Sequence, residues 1–257
     1  MTTEEYNVNF NLPKESGKYI LVGQVGSQSY GAATEDSDVD FLGIILKPNS
    51  YYTGLVAGED TFVLDKKETI NAESTIFELR KFLKLCIKFN PNVIPLLYLR
   101  DHEYTIITPE GKSLIKNRQA FESHQAYNTL LGYSQSQRNA VVNCITGKLG
   151  TKRKLLVEKY GYDVKYAMHT IRILRMATEF FLSGKMNIFR NDADELLYIR
   201  NGGLSLSDWI LLVDNELDNA QKAANLKMLP EYPDFDTIND LCQSIITDQI
   251  ILESVGG

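Results

Sequence analysis

Residues 22–44 read VGQVGSQSYGAATEDSDVDFLGI, and this stretch decides the architecture. It completes the run YILVGQV at 19–25, whose β-branched and apolar side chains predict a buried strand. Gly26-Ser27 breaks that run, and SQSYGAA has the small and polar residues of a short helix. The loop TEDS follows, and DVDFLGIIL then predicts a second strand whose apolar second half belongs inside a sheet.

Asp38 and Asp40 stand two apart on that second strand, so their side chains leave the same face. Two converging carboxylates in a half-buried sheet repel each other unless a cation neutralises them. Mg²⁺ suits the task, because it is held by carboxylates together with substrate phosphate oxygens. A bare Asp-x-Asp also describes a strand that starts on its solvent face, and short motifs match by chance. The upstream residues tip the balance. Ser27 lies 11 positions ahead of Asp38, directly after a hydrophobic strand. A glycine lets backbone amides approach a phosphate, and a helix start adds donors and the positive end of a dipole. The Ser27 hydroxyl can donate to the same phosphate.

Working outward, TFVL at 61–64 and residues 68–72 predict further strands. From Glu73 the period changes to helical, with Ile76, Leu79, Phe82, Leu83 and Ile87 on one face, so 74–89 is expected as a helix. Asn90-Pro91 stops it and opens a short helix through VIPLLYL. Beyond residue 110 the patterns are helical: 111–121, 126–146, 151–159, 163–183, 192–199, 206–223 and 237–253. The expected fold is α+β. A small mixed-sheet domain over 1–110 precedes an all-helical domain over 111–257 that completes a nucleotide cleft.

With 257 residues and a net charge of -6, the chain is no general coat for nucleic acid, which needs an excess of Lys and Arg. A local basic patch can still hold one nucleotide or one RNA end. Cys86, Cys144 and Cys242 are isolated among apolar neighbours and read as buried thiols. The N-terminal residues lack the basic and apolar regions of a signal peptide, and no apolar run approaches a membrane span. A cytoplasmic protein is expected, and no oligomeric state is assigned.

The Gly-Ser and Asp-x-Asp elements together resemble the signature of the DNA polymerase β-like nucleotidyltransferase superfamily. The additional SYG and SDxDxxGI elements resemble its RlaP-type branch, associated with RNA repair. The segments ELRKFLKLCIKFNPNVIPLLY, KYAMHTIRILRMATEFFLSGK, ELLYIRNGGLS and LPEYPD resemble later blocks of that branch. The resemblance implies an NTP substrate, two Mg²⁺ ions (with Mn²⁺ as the alternative) and an RNA end as acceptor. It also implies a third carboxylate on a later strand. Glu73 is the first choice and Asp65 the alternative, although an Asp is the more familiar occupant and Glu73 equally suits a first helical turn.

Lys165, His169 and Arg172 recur at i, i+4 and i+7, within a face about 60° wide, with Arg175 at its edge. Tyr166, Ile173, Leu174, Ala177 and Phe181 fall on another face that can pack. A solvated stripe gives the same triplet, but the KxxxHxIR pattern is similar to the branch, which favours a triphosphate clamp. His169, His102 and His124 lack metal-ligand spacing. Lys148, Lys152, Arg153 and Lys154 form a second basic cluster, which suits an RNA backbone or the β/γ phosphates and suits an exposed loop slightly better. Arg80 and Lys81 lie about 100° apart on their helix, so at most one is expected to face a cleft. Arg200 reads as a C-terminal helix charge ahead of the stop Gly202-Gly203.

The expected chemistry is magnesium-dependent transfer of a nucleoside monophosphate to an acceptor hydroxyl, with pyrophosphate released. Gly26 and Ser27 hold phosphates, Asp38, Asp40 and Glu73 hold metal, and Lys165, His169 and Arg172 neutralise the triphosphate. The alternatives are nucleotidylylation of a protein or small molecule, or a silent nucleotide or RNA binder.

Overall fold

A computed structural model describes residues 17–35, 37–55, 58–64, 72–143 and 151–255. Their contacts divide the chain into two units: Met1–Phe121 with Pro233–Gly257, and Glu122–Tyr232. The fold is α+β, with a mixed sheet in the first unit and helices throughout the second.

The first unit opens with β1 (Lys18–Val25), α1 (Ser27–Tyr30), β2 (Val39–Leu46), α2 (Asn49–Thr53), β3 (Thr61–Leu64), β4 (Ala72–Glu78) and α3 (Leu79–Ile87). After a 3₁₀ turn over Ile94–Tyr98 come β5 (Tyr104–Ile107) and α4 (Pro109–Lys116). The sheet order is β3-β4-β2-β1-β5. β2 and β4 run parallel, and the remaining pairs are antiparallel. Alternation sorts the side chains by face. Val22, Val39, Phe41 and Ala72 form an apolar cluster on one side, with Tyr19 and Ile106 packed against it. The opposite side carries Asp40, Leu42 and Ile44 from β2. The segment through Leu96 and Leu99 lies against that side at Gly23.

The helical spacing expected from residue 74 starts five residues later, at Leu79. Thr75, Ile76 and Phe77 are β-branched or aromatic and pair along β2, so the sheet claims them. The Glu78 carboxylate then accepts from Lys81 N at 3.0 Å and caps the helix. β5 was not expected at all; its four residues are too few for a period to register. The strand expected at 68–72 falls outside the described residues except for Ala72, as does the end of the helix expected over 126–146.

The second unit contains α5 (Ala126–Val142), α6 (Thr151–Tyr160), α7 (Val164–Ser183), α8 (Ala193–Arg200) and α9 (Leu206–Asn225). The final helix, α10 (Phe235–Val255), groups with the first unit, where it meets α2, α3 and α4. The contacts therefore do not divide at the compositional change near 110. α7 is the centre of the second unit and packs on α5, α8 and α9. Asp163 caps its start by accepting from Tyr166 N at 2.9 Å, and Gly184 ends it in the left-handed region. Trp209 of α9 is fully buried and donates Nε1–H to Ala167 O at 3.2 Å, which ties the two long helices together. Gly202 at φ 76 stops α8 just after Arg200, as expected.

Cys86 is buried and Cys242 half-buried, both as free thiols; burial pushes the Cys86 thiol well up. Cys144 lies outside the described residues. Among the described residues no helix is long and apolar enough to cross a membrane.

Candidate active site

Strands β2 and β4 of the first unit place the acidic residues Asp40 and Glu73 at paired positions. Asp40 is the second residue of β2 and pairs with Val25 at the end of β1 on one side. On its other side it pairs with Glu73 of β4. Laterally paired residues share a face, so the Asp40 and Glu73 carboxylates leave the sheet side by side. Asp38, two residues earlier, precedes the strand, and its Oδ1 is screened from solvent.

The turn after β1 closes on this row. Gly26 adopts φ 78, a conformation that favours glycine, and precedes α1. A Cβ at this position would collide with Asp40 Oδ2 and lie 3.3 Å from Asp40 Cβ. The Gly-Ser turn and the Asp-x-Asp strand therefore form one site. Two serines that open the SYG and SDxDxxGI elements, to which the sequence reading gave no role of their own, hold it. Ser29 donates its hydroxyl to Gly26 O at 3.0 Å, while Ser37 Oγ accepts from Thr34 N at 2.8 Å. Both serines are buried. The Thr34/Ser37 spacing just before a strand was the available signal, since Ser and Thr close turns through their hydroxyls.

Among the described residues no three or more His, Cys, Asp or Glu side chains form a group that could hold a metal ion. Mg²⁺ does not require one, because one or two carboxylates plus water and substrate phosphates complete its shell. The carboxylate oxygens of Asp38 and Asp40 are of the donor type that this ion takes, whereas Asp38, Asp40 and Glu73 together do not form a three-residue metal group. Asp65 lies outside the described residues.

The expected cationic stripe lies within the second unit and is graded by depth. Lys165 is exposed, His169 is half-buried and Arg172 is 0% exposed. Arg172 NH2 lies 3.0 Å from His169 Nδ1, and Arg172 NH1 donates to Met176 Sδ at 3.0 Å. His169 Nε2 lies 3.2 Å from the Tyr133 hydroxyl of α5, a partner no sequence signal indicated. Burial, then the charges of Arg172, Arg153 and Lys165, hold the imidazole well below its ordinary pKa.

The other basic residues have structural partners. Arg175 bridges Asp192, Glu195 and Glu216 at 2.7–2.8 Å and fastens α7 to α8 and α9. Arg153 bridges Asp163 at 3.0 Å and lies 3.4 Å from the Tyr166 ring centroid. Lys154 is exposed, whereas Lys148 and the Lys152 side chain lie outside the described residues. Arg80 stacks over Tyr51 and Tyr52 at 4.9 Å, and Lys81 bridges Asp60 at 3.3 Å.

None of the curated proteins matches the chain. Among solved structures it is similar to a nucleotidyltransferase-like protein from Exiguobacterium sibiricum, at 13% identity and a TM-score of 0.31, over 82% of this chain and 70% of that one. The RlaP family, described as the RNA repair pathway DNA polymerase beta family, matches residues 4–244. That match spans the sheet with its Gly-Ser and Asp-x-Asp elements and nearly all the helices, and the chain belongs to this family of polymerase β-like nucleotidyltransferases.

Proposed function

We propose that the protein transfers a nucleoside monophosphate from an NTP to the terminal hydroxyl of an RNA, releasing pyrophosphate. The observation that carries this reading is the contact between the Gly26 backbone and the Asp40 carboxylate, with Glu73 paired beside Asp40. A phosphate gripped by the Gly26–Ser27 backbone and the Ser27 hydroxyl would lie against the carboxylate row. Asp38 and Asp40 would hold Mg²⁺, with Glu73 as the third acid. When bound, the ion lowers the pKa of an attacking hydroxyl and stabilises charge on the transferring phosphoryl group. The protein's own residues would orient the α-phosphate. The family's RNA-repair association supports an RNA acceptor.

The test is incubation with each α-labelled NTP, Mg²⁺ and total RNA. Label is expected to migrate with RNA. Label on protein would replace the RNA acceptor by a protein one, and no label transfer with no pyrophosphate release would overturn the reading.

A further inference from the structure

The inference rests on the proposed transfer to an RNA end, and concerns where that end lies on the sheet. One lateral row crosses all five strands: Tyr104 of β5, Gly23 of β1, Leu42 of β2, Thr75 of β4 and Val63 of β3 are paired in turn. Paired residues share a face, and two residues earlier on β2 and β4 the same face carries Asp40 and Glu73. The row changes character from end to end. Tyr104 is 8% and Leu42 4% exposed, Thr75 is half-buried, and Val63 is 67% exposed. Leu96 and Leu99 roof the buried end, since they meet the face at Gly23. The neighbouring row follows the same gradient, with Val25 and Asp40 half-buried and Glu73 exposed.

The carboxylate face is therefore covered on one side of Asp40 and open on the other. Gly26 stands on the covered side: it follows Val25, the β1 partner of Asp40, and lies against the Asp40 carboxylate. A triphosphate gripped by the Gly26–Ser27 turn occupies that side. Entering and leaving oxygens lie roughly in line through the transferring phosphorus, so the acceptor hydroxyl arrives from the opposite side, over Glu73. Strand spacing puts Val63 about 5 Å across from Thr75, and their row about 7 Å from the Asp40–Glu73 row. One nucleoside spans that distance. The surface it meets is uncharged. Acids beside it repel phosphate, so it suits the part of an RNA that lacks one, the terminal ribose and base. Val63 offers apolar contact, and the Thr75 hydroxyl can exchange a hydrogen bond with a ribose hydroxyl.

We propose that Thr75 and Val63 form the floor of the acceptor subsite, on which the terminal nucleoside of an RNA lies with its hydroxyl toward Asp40 and Glu73. In the transfer, the hydroxyl oxygen bonds to the α-phosphorus, the α–β bridging oxygen leaves with pyrophosphate, and the hydroxyl proton passes to water. The floor takes no part in these bond changes. It contributes acceptor binding alone, so its loss is read in the KM for RNA and not in the KM for NTP.

Full-length wild type, Val63→Glu and Leu55→Glu are compared in steady-state transfer from labelled NTP with Mg²⁺. Total RNA is titrated at saturating NTP, and NTP at saturating RNA. Val63 is exposed on an edge strand, and Leu55 is fully exposed beyond α2, past the end of β2 remote from Asp40. Both variants should fold, as circular dichroism checks, and Leu55→Glu controls for the added charge. The apparent KM for RNA is expected to rise about tenfold or more in Val63→Glu alone, with the KM for NTP within about twofold of wild type. Should Val63→Glu unfold, Val63→Gln takes its place, with a rise of about threefold expected. An unchanged KM for RNA, an equal rise in Leu55→Glu, or a matching rise in the KM for NTP overturns the floor and leaves RNA transfer standing. Failure of wild type to label RNA removes the acceptor reading, and this inference with it.

Discussion

Gly26 stands against Asp40 so closely that the smallest side chain at position 26 would strike the carboxylate Oδ2. The glycine is required twice over, by its positive φ and by the acid in front of it. Gly26→Ala is expected to cost about 1–3 kcal/mol from the backbone conformation alone, because φ 78 with ψ −152 is a region essentially reserved for glycine. The added methyl must also displace either the turn or the carboxylate. Thermal unfolding should show a modest loss of stability, while labelled-NTP transfer should fall far more than that loss explains.

Asp38→Asn and Asp40→Asn remove charge without removing volume. Both proteins should fold, and nucleotidyl transfer should fall about a thousandfold or more, the order expected when several kcal/mol of transition-state stabilisation are lost. Glu73→Gln lies at an exposed strand position and should leave unfolding unchanged while reducing transfer. Transfer at wild-type rate by Glu73→Gln would remove it as the third acid. Circular dichroism and single-turnover rates supply the comparison.

Arg175 fastens three helices through three carboxylates. Arg175→Ala leaves Asp192, Glu195 and Glu216 without their shared cation and should destabilise the protein by about 3 kcal/mol, as for a largely buried ion pair broken on one side. Arg175→Met keeps most of the packing volume and should lose less. Urea unfolding followed by Trp209 fluorescence reads the difference, because the indole is buried between α9 and α7.

The same cluster sets an acid limit. Burial acts to raise Asp192, but hydrogen bonds from Arg190 and Arg175 outweigh it and hold the acid below its ordinary value. Glu195 is lowered chiefly by its hydrogen bond to Arg175. Both folded pKa values lie below the unfolded ones, so the stability they contribute is fully present above about pH 4.5 and is lost as pH falls through the folded values. Denaturation midpoints between about pH 3 and 6 should decline on the acid side, and Arg175→Met should flatten that decline.

The site was legible where the chemistry is local. Gly26, Ser27, Asp38 and Asp40 belong to one short segment, and the strand-turn-strand reading matches the elements on which they lie, with Gly26 against Asp40. Glu73 was harder to place, because Ile76, Leu79, Phe82 and Leu83 fit a helical period that hides the strand ending at Glu78. Pairing with β2 decides between the two, and no window of sequence contains that pairing. Tyr133 had no signal, since its meeting with His169 joins residues 36 positions apart. Arg175 shared an edge with the cationic stripe, yet the acids that claim it come from α8, α9 and the turn before α8.

The grouping of α10 with the first unit has a consequence for synthesis. Asn49 and Lys47 bond to Ile250 and Gln249, some two hundred residues downstream. Residues 122–232 can reach their own contacts while the ribosome is still translating. The sheet that bears the carboxylates emerges first but gains its last helical neighbour only near the end of translation. A nascent chain stalled before Pro233 would thus present a folded helical unit and an unfinished catalytic one, exposing the apolar sides of α2 and α3 that α10 normally meets.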